Sequence, residues 1–369
     1  MRIALLSPWY LANGGGTKVV SVVAKMFPNA DLFSLFARDQ GIPQSLKGRT
    51  IQCSFLDRVP YIEKIYRPLL PVYPLAVESL DLTGYDLVIS FDASCIKGVL
   101  VDQQATHICY CHTPMRYVWD LYRTFEAQVP AIGRWTFALT ANKLRLWDFV
   151  AAQRVNSFIA NSQYIRNRIH HYYRRDSEVI YPPVDTQRGY IATTNDDYYF
   201  SVGRLTHTKR LELLIEACNR LERRLVIAGS GREEARLKAI AGKTIEFVGR
   251  VSDQGLDHLY AHCRALLFAA EEDFGIVPVE AQAYGRPVIA FGSGGVMESV
   301  KSEITGVFFP RQTADSVARA IQDFERIEHH FDPQVIQKHA RGFDTSIFVQ
   351  KMDAYIQNSI SHDREGMLI

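Results

Sequence analysis

The stretch RLVIAGSGREEARLKAIAGKTIEFVGRV, residues 224–251, holds one copy of the unit that decides the fold. Its first run, RLVIAG (224–229), is apolar and rich in branched residues, and reads as a buried strand. The turn Gly229-Ser230-Gly231 follows at once and opens a helix, after which TIEFVG (244–249) reads as the next strand. The unit recurs in both directions. YYFSVG (198–203), ALLFAA (265–270), PVIAF (287–291) and TGVFFP (305–310) continue it, with helical patterns such as KRLELLIEACNRL (209–221) and SDQGLDHLYAHC (252–263) between neighbours. Toward the N-terminus, RIALLS (2–7), DLVIS (86–90), THICYC (106–111) and SFIAN (157–161) read as further strands. Repeated strand–helix–strand units predict an α/β protein with doubly wound parallel sheets.

A chain of 369 residues is long for one core, and about two domains are expected. YPPVDTQRGYIATTNDD (181–197) has turn formers and no helical period, so it reads as a linker, with the boundary near Pro183–Asp185. The expected division is therefore residues 1–184 and residues 185–344, two Rossmann-like domains facing a cleft. The amphipathic TSIFVQKMDAYIQNSI (345–360) has no strand after it, so segment 345–369 is expected to cross back to the first domain. A formal net charge of +2 is too near balance for nucleic-acid binding. The N-terminus MRIALLSPWY does not read as a signal peptide, and no apolar run reaches the roughly 18–20 residues of a spanning helix. The six cysteines show neither CxxC nor zinc spacing and read as reduced thiols of a cytoplasmic protein.

Three stretches carry chemistry. In EEDFGIVPVEAQAYGRPVIA (271–290), Pro278 suits a first helical turn, which places Glu272 in the loop before the helix and Glu280 in that turn. The amides of Phe274, Gly275, Ile276 and Val277 are then expected as N–H donors at the positive end of the helix dipole. Such a place holds an anion or hydroxyl oxygens, and the two carboxylates accept from a ligand rich in O–H donors, a sugar or a ribose. In SVGRLTHTKRLELL, Arg204 follows a strand and Lys209 stands at a helix start, a pair able to clamp a diphosphate without a metal. In YCHTPMRYVWD (110–120), a strand ends at Cys111 and His112 opens the turn after it, placed either to act as a base or to bond a substrate hydroxyl. Gly14-Gly15-Gly16 and Gly229-Ser230-Gly231 lack the dinucleotide spacing, yet both follow a strand and open a helix, as phosphate-binding turns do. Tight turns between strand and helix also need glycine for steric reasons.

Taken in order, Gly14–Gly16, GRLTHTK, GSG, FVGRV and the Glu-x7-Glu stretch followed by GRPVIA resemble retaining glycosyltransferases of family 4. The resemblance covers nearly the whole chain and is most specific from 200 to 310. YDLVISFDASCIKGV and HICYCHTPMRYVWD resemble the branch that transfers mannose from GDP-mannose in O-antigen and exopolysaccharide assembly. The resemblance implies the two-domain GT-B fold, with Arg204 and Lys209 on the donor diphosphate and Gly15 and Gly16 approaching it. Glu280 would accept from the ribose diol, while Glu272 and the amides of Phe274 to Val277 would hold the donor sugar and phosphate. Arg250 and Val251 would seat the base, and His112 would meet the donor sugar. It also implies front-face attack with retention, no enzymic nucleophile, no metal, and a lipid-linked or oligosaccharide acceptor. A nucleotide-sugar 2-epimerase of the same fold and a non-catalytic nucleotide-sugar-binding protein are the competing readings.

GRWTFALTANKLRLWDFVAAQR (133–154) carries Arg134, Lys143, Arg145 and Arg154 against one acid, Asp148, and places Trp135, Leu139, Leu146 and Phe149 along one helical face. It is apolar on more than one side, so it reads first as a packing helix with exposed basic residues. The second reading is a contact with an anionic membrane surface.

Overall fold

The computed structural model describes residues 1–11 and 14–366, so the last three residues of the expected C-terminal segment lie outside the described residues. The first half contains β1 (Ile3–Tyr10), β2 (Asp31–Ala37), β3 (Ile51–Cys53), β4 (Leu87–Asp92), β5 (Thr106–Cys111), β6 (Ser157–Ala160) and β7 (Glu178–Val179). The second contains β8 (Tyr199–Val202), β9 (Leu225–Ala228), β10 (Ile245–Gly249), β11 (Ala265–Phe268), β12 (Val288–Phe291) and β13 (Gly306–Phe309). They form two parallel sheets of order β3-β2-β1-β4-β5-β6-β7 and β10-β9-β8-β11-β12-β13. Both are Rossmann-like. In each, the order reverses once, between β1 and β4 and between β8 and β11. Open α/β sheets bind ligands at the carboxyl end of such a reversal.

Every strand expected from the sequence forms, while β2, β3 and β7 come in addition. In β2, DLFSLFA, the apolar residues at 32, 33, 35 and 36 fit a helical face as well as a strand, so periodicity does not separate the two. The pairs β2–β3 and β6–β7 are too short to show any period.

The chain divides into a unit of Met1–Pro183 with Phe348–Ile369 and a unit of Val184–Ile347. In the first, the helix Thr345–Gly366 brings Phe348, Met352 and Ile356 into the same core as Leu5, Val19, Val23, Ile89 and Tyr110. The Phe348 ring meets Tyr110 edge-on at 6.0 Å. In the second, Leu214, Ile215, Ala217 and Cys218 of the helix Leu211–Leu221 pack against Leu225, Ile227, Leu267 and Ile289 of the sheet. Burial of the leucine and isoleucine side chains among these, each contributing about 1.5–3 kcal/mol, fixes which face of the helix turns inward. The turn-rich stretch after Pro183 is packed onto this second unit. A Cβ at Gly189 would lie 2.1 Å from the Ala283 carbonyl oxygen, and the buried Arg286 guanidinium donates to the carbonyls of Ala192 and Thr194. All six cysteines are free thiols. No described helix is long and apolar enough to cross a membrane.

Candidate functional site

Glu272 follows β11 in the second unit. The helix that follows runs Ile276–Ala283, so it begins before Pro278, which occupies its third position, and Glu280 lies in the second turn instead of the first. Gly275 caps it with φ of 87°, a conformation that favours glycine and explains the aromatic-glycine step. The amides of Ile276 and Val277 fall in the first turn, among the donors that a helix leaves without intrahelical partners.

Arg204 follows β8, on the other side of the sheet's reversal. Lys209 lies in a short 3-10 turn, His207–Lys209, and is separated from the helix Leu211–Leu221 by Arg210 in the left-handed region, φ 53°. It therefore precedes the helix instead of starting it. Its ammonium is ion-paired with the Glu272 carboxylate. Ser201, Gly203, Arg204, Lys209, Phe268 and Ala270 line a recess at these strand ends. Burial, and to a lesser degree the Arg204 guanidinium, pull the Lys209 amine down to about 8. At about 8 the group is still mostly a cation at neutral pH. Two cations, an acceptor carboxylate and unpaired helix amides thus share one edge of the sheet, an arrangement suited to a phosphate carrying a polyhydroxylated group.

Glu280 is held from behind. Its Oε2 accepts from the phenol of Tyr260 at 2.9 Å, and Tyr260 is buried and stacked on Tyr284 with ring centres 5.4 Å apart. The Tyr284 hydroxyl donates to Asp257, which also receives Arg188. Arg250, after β10, donates to the Ser230 hydroxyl at 2.9 Å, tying the ends of β9 and β10 together, with Val251 next in the chain.

The glycines differ in their reasons. A Cβ on Gly229 would fall 1.9 Å from the Gly203 carbonyl oxygen, and one on Gly231 2.2 Å from that of Leu205. That turn needs glycine because two loops meet backbone to backbone. A further pair was not singled out in the sequence. Gly294 and Gly295, after β12, lie against the Glu272–Phe274 backbone, where a Cβ would come within 2.5 Å of the Glu272 oxygen and 2.3 Å of the Asp273 oxygen. The Gly295 amide donates to the Glu272 carbonyl at 2.9 Å. The signal was available, since SGG after the strand PVIAF meets the same strand-then-glycine criterion applied to Gly14–Gly16.

In the first unit, Gly14 caps the helix Gly15–Met26, and the Thr17 hydroxyl bonds both its amide and its carbonyl at 2.9 Å. Gly16 faces His112, whose Nε2 lies 3.5 Å from where a Cβ would be. The His112 amide donates to the Asp92 carbonyl at 2.7 Å, which fixes the turn leaving β5. Its Nε2 is buried with no hydrogen-bond partner among the described residues. Burial lowers the imidazole to about 4, so it is neutral at pH 7 and a weak proton acceptor. Of the two roles open from the sequence, bonding to a ligand hydroxyl is the one this environment suits.

Beneath that turn, Lys97 is completely buried between Asp92, at 3.0 Å, and Asp148, which also accepts from Trp119 at 2.7 Å and Tyr173 at 2.9 Å. The lone acid of the segment 133–154 is therefore an interior anchor. Among the described residues no group of three or more His, Cys, Asp and Glu side chains could hold a metal ion.

Two family models match the chain side by side: "Glycosyltransferase Family 4" over residues 14–188 and "Glycosyl transferases group 1" over residues 185–342. Among known proteins, the uncharacterized glycosyltransferase MJ1607 of Methanocaldococcus jannaschii is 38% identical over 127 residues, 32% of this chain and 33% of that protein. The alpha-1,3/1,6-mannosyltransferase ALG2 of Saccharomyces cerevisiae is 25% identical over 316 residues, 70% of this chain and 60% of that protein. The chain thus spans a third and three fifths of the length of these two relatives. Among solved structures, Anabaena Alr3699/HepE in complex with UDP-glucose superposes with a TM-score of 0.71 at 17% identity, covering 97% of this chain and 100% of that one. That likeness is one of fold.

Proposed function

We propose that this chain is a glycosyltransferase of the GT-B fold that transfers a hexose with retention of configuration, mannose from GDP-mannose, to a lipid-linked or oligosaccharide acceptor in surface polysaccharide assembly. The observation that carries the reading is the meeting of Arg204, Lys209 and Glu272 at the strand reversal of the second sheet. The 185–344 region would hold the donor and the 1–184 region the acceptor. Arg204 and Lys209 neutralise the diphosphate, and the amides of Phe274, Gly275, Ile276 and Val277 complete its surroundings. Glu272 accepts from sugar hydroxyls and Glu280 from the ribose diol, while Arg250 and Val251 flank the base. Gly15 and Gly16 approach the phosphate, and neutral His112 bonds a donor-sugar hydroxyl through Nε2.

In the reaction, the bond from the anomeric carbon to the diphosphate oxygen breaks, and the acceptor oxygen bonds to the same face. The departing phosphate oxygen takes the acceptor's proton, and the two cations meet the charge left on the nucleotide. No residue is used as a covalent nucleophile and no metal is required. Mannose is favoured because a mannosyltransferase is among the relatives and because the first half resembles that branch. The same reading puts the protein in the cytoplasm, at the inner face of a membrane that carries the acceptor.

Thermal-shift measurement against GDP-mannose, UDP-glucose and UDP-GlcNAc tests the donor. GDP-mannose should stabilise the protein most, and anomeric NMR of the product should show retention. Stronger stabilisation by a uridine donor would overturn the mannose assignment, and conversion of the donor alone to an epimer would overturn transfer.

A further inference from the structure

The helix Arg134–Gln153 turns the wrong face to solvent. It buries Ala141, Leu144, Asp148, Ala151 and Ala152, and a surface helix normally carries polar residues on the opposite side. Here Trp135 is 74% exposed, Leu139 51%, Leu146 66%, Phe149 38% and Val150 54%, and Ile132 of the preceding turn is 94% exposed. At about 100° per residue these side chains fall within a band of roughly 100° of the helix circumference. Large apolar side chains exposed singly are ordinary, but a cluster of them on one face, here with the exposed Asn142 and Gln153 among them, marks an interaction surface. The packing-helix reading accounts only for the small residues on the inner face.

The charges around the row identify the occupant. Arg134 and Lys143 are exposed and Arg145 half-buried, whereas the helix's only acid, Asp148, is sealed inside with Lys97. The solvent side of the helix is thus largely apolar, with the neutral Asn142 and Gln153 among the apolar residues, cationic margins and no carboxylate of its own. A second copy meeting this face in a symmetric dimer would set Arg134 and Lys143 against a surface of the same sign. An anionic lipid surface instead offers hydrocarbon to the row and phosphate to its margins, the arrangement by which helices lie in a membrane interface. Trp135 among the aliphatic residues suits the headgroup level of such an interface. We infer that the outward face of Arg134–Gln153 docks this chain on an anionic lipid bilayer. This deepens the proposed function by naming the surface through which a membrane-borne acceptor is approached.

Vesicle co-sedimentation tests this without using transfer activity. The full chain should sediment with vesicles of phosphatidylcholine and phosphatidylglycerol, more weakly with phosphatidylcholine alone, and less at high salt. Leu139→Glu with Leu146→Glu should weaken binding at least about tenfold, because each change removes a buried apolar contact and adds a repelled charge. Arg134→Glu with Lys143→Glu, which leaves the apolar row intact, should weaken it through the charge contribution alone and abolish the salt dependence. The thermal shift produced by GDP should be unchanged in both variants. Failure of the wild type to sediment at low ionic strength would overturn the inference. So would wild-type binding by the Leu139/Leu146 variant, or a wild-type dimer that this variant converts to a monomer without any vesicle binding. An intact GDP response alongside any of these leaves the transferase reading standing, whereas vesicle binding without any nucleotide response would refute that reading alone.

Discussion

Replacing Lys209 should separate the diphosphate clamp from the rest of the site. The ammonium is ion-paired with Glu272 and shares its recess with Arg204. One hydrogen bond to a charged group contributes about 1.5–3 kcal/mol, so Lys209→Met should weaken GDP binding by roughly 10-fold to 150-fold at pH 7. The lowered pKa of about 8 adds a sharper signature. Below that value the amine is charged and contributes its attraction; above it the contribution is lost as the proton leaves. Wild-type affinity for GDP should therefore change little near pH 7, fall about fivefold between pH 8 and 9 and approach a tenfold fall per unit above that, until the value of the contact is exhausted. Lys209→Arg carries a guanidinium that stays protonated and should lose that bend, whatever its affinity at pH 7. Isothermal titration calorimetry with GDP across pH 7–9.5 reads all three proteins. A Lys209→Met variant that binds GDP like wild type, or a Lys209→Arg variant with the same bend, would refute the assignment.

Two further outcomes follow from contacts behind the site. Tyr260→Phe removes the phenol that orients Glu280, and should weaken GDP about tenfold while scarcely changing affinity for an analogue lacking the ribose hydroxyls; an equal loss for both nucleotides would show that the phenol does not act through that carboxylate. Lys97→Met strands the buried carboxylates of Asp92 and Asp148 and should cost about 3–5 kcal/mol in urea denaturation, and an unchanged midpoint and slope would show that these buried pairs do not hold the fold together.

The strand–helix rhythm was legible because buried parallel strands are short unbroken apolar runs set off by glycine turns, as RLVIAGSG illustrates. β2 was not, because Leu32, Phe33, Leu35 and Phe36 suit either period, and the three-residue β3 has too few positions to show one. At the site, the residue types could be read but not their partners. Lys209 with Glu272 and Tyr260 with Glu280 are 63 and 20 residues apart in the chain, and nothing local announces them. The protonation of His112 was likewise invisible, since burial set by the surrounding fold moves it to about 4. The helix Arg134–Gln153 could be seen to have two apolar sides. Which one faced inward depended on the small residues Ala141, Ala151 and Ala152 fitting the interior and on Asp148 finding Lys97.

The return of the C-terminal helix orders the birth of the molecule. Leu5, Val19 and Tyr110 leave the ribosome early, but Phe348, Met352 and Ile356, which complete their packing, follow only after all of Val184–Ile347 has been made. Domains generally mature as they emerge. Here the later-made region can close first, while the earlier one waits with an apolar surface uncovered and open to chaperones.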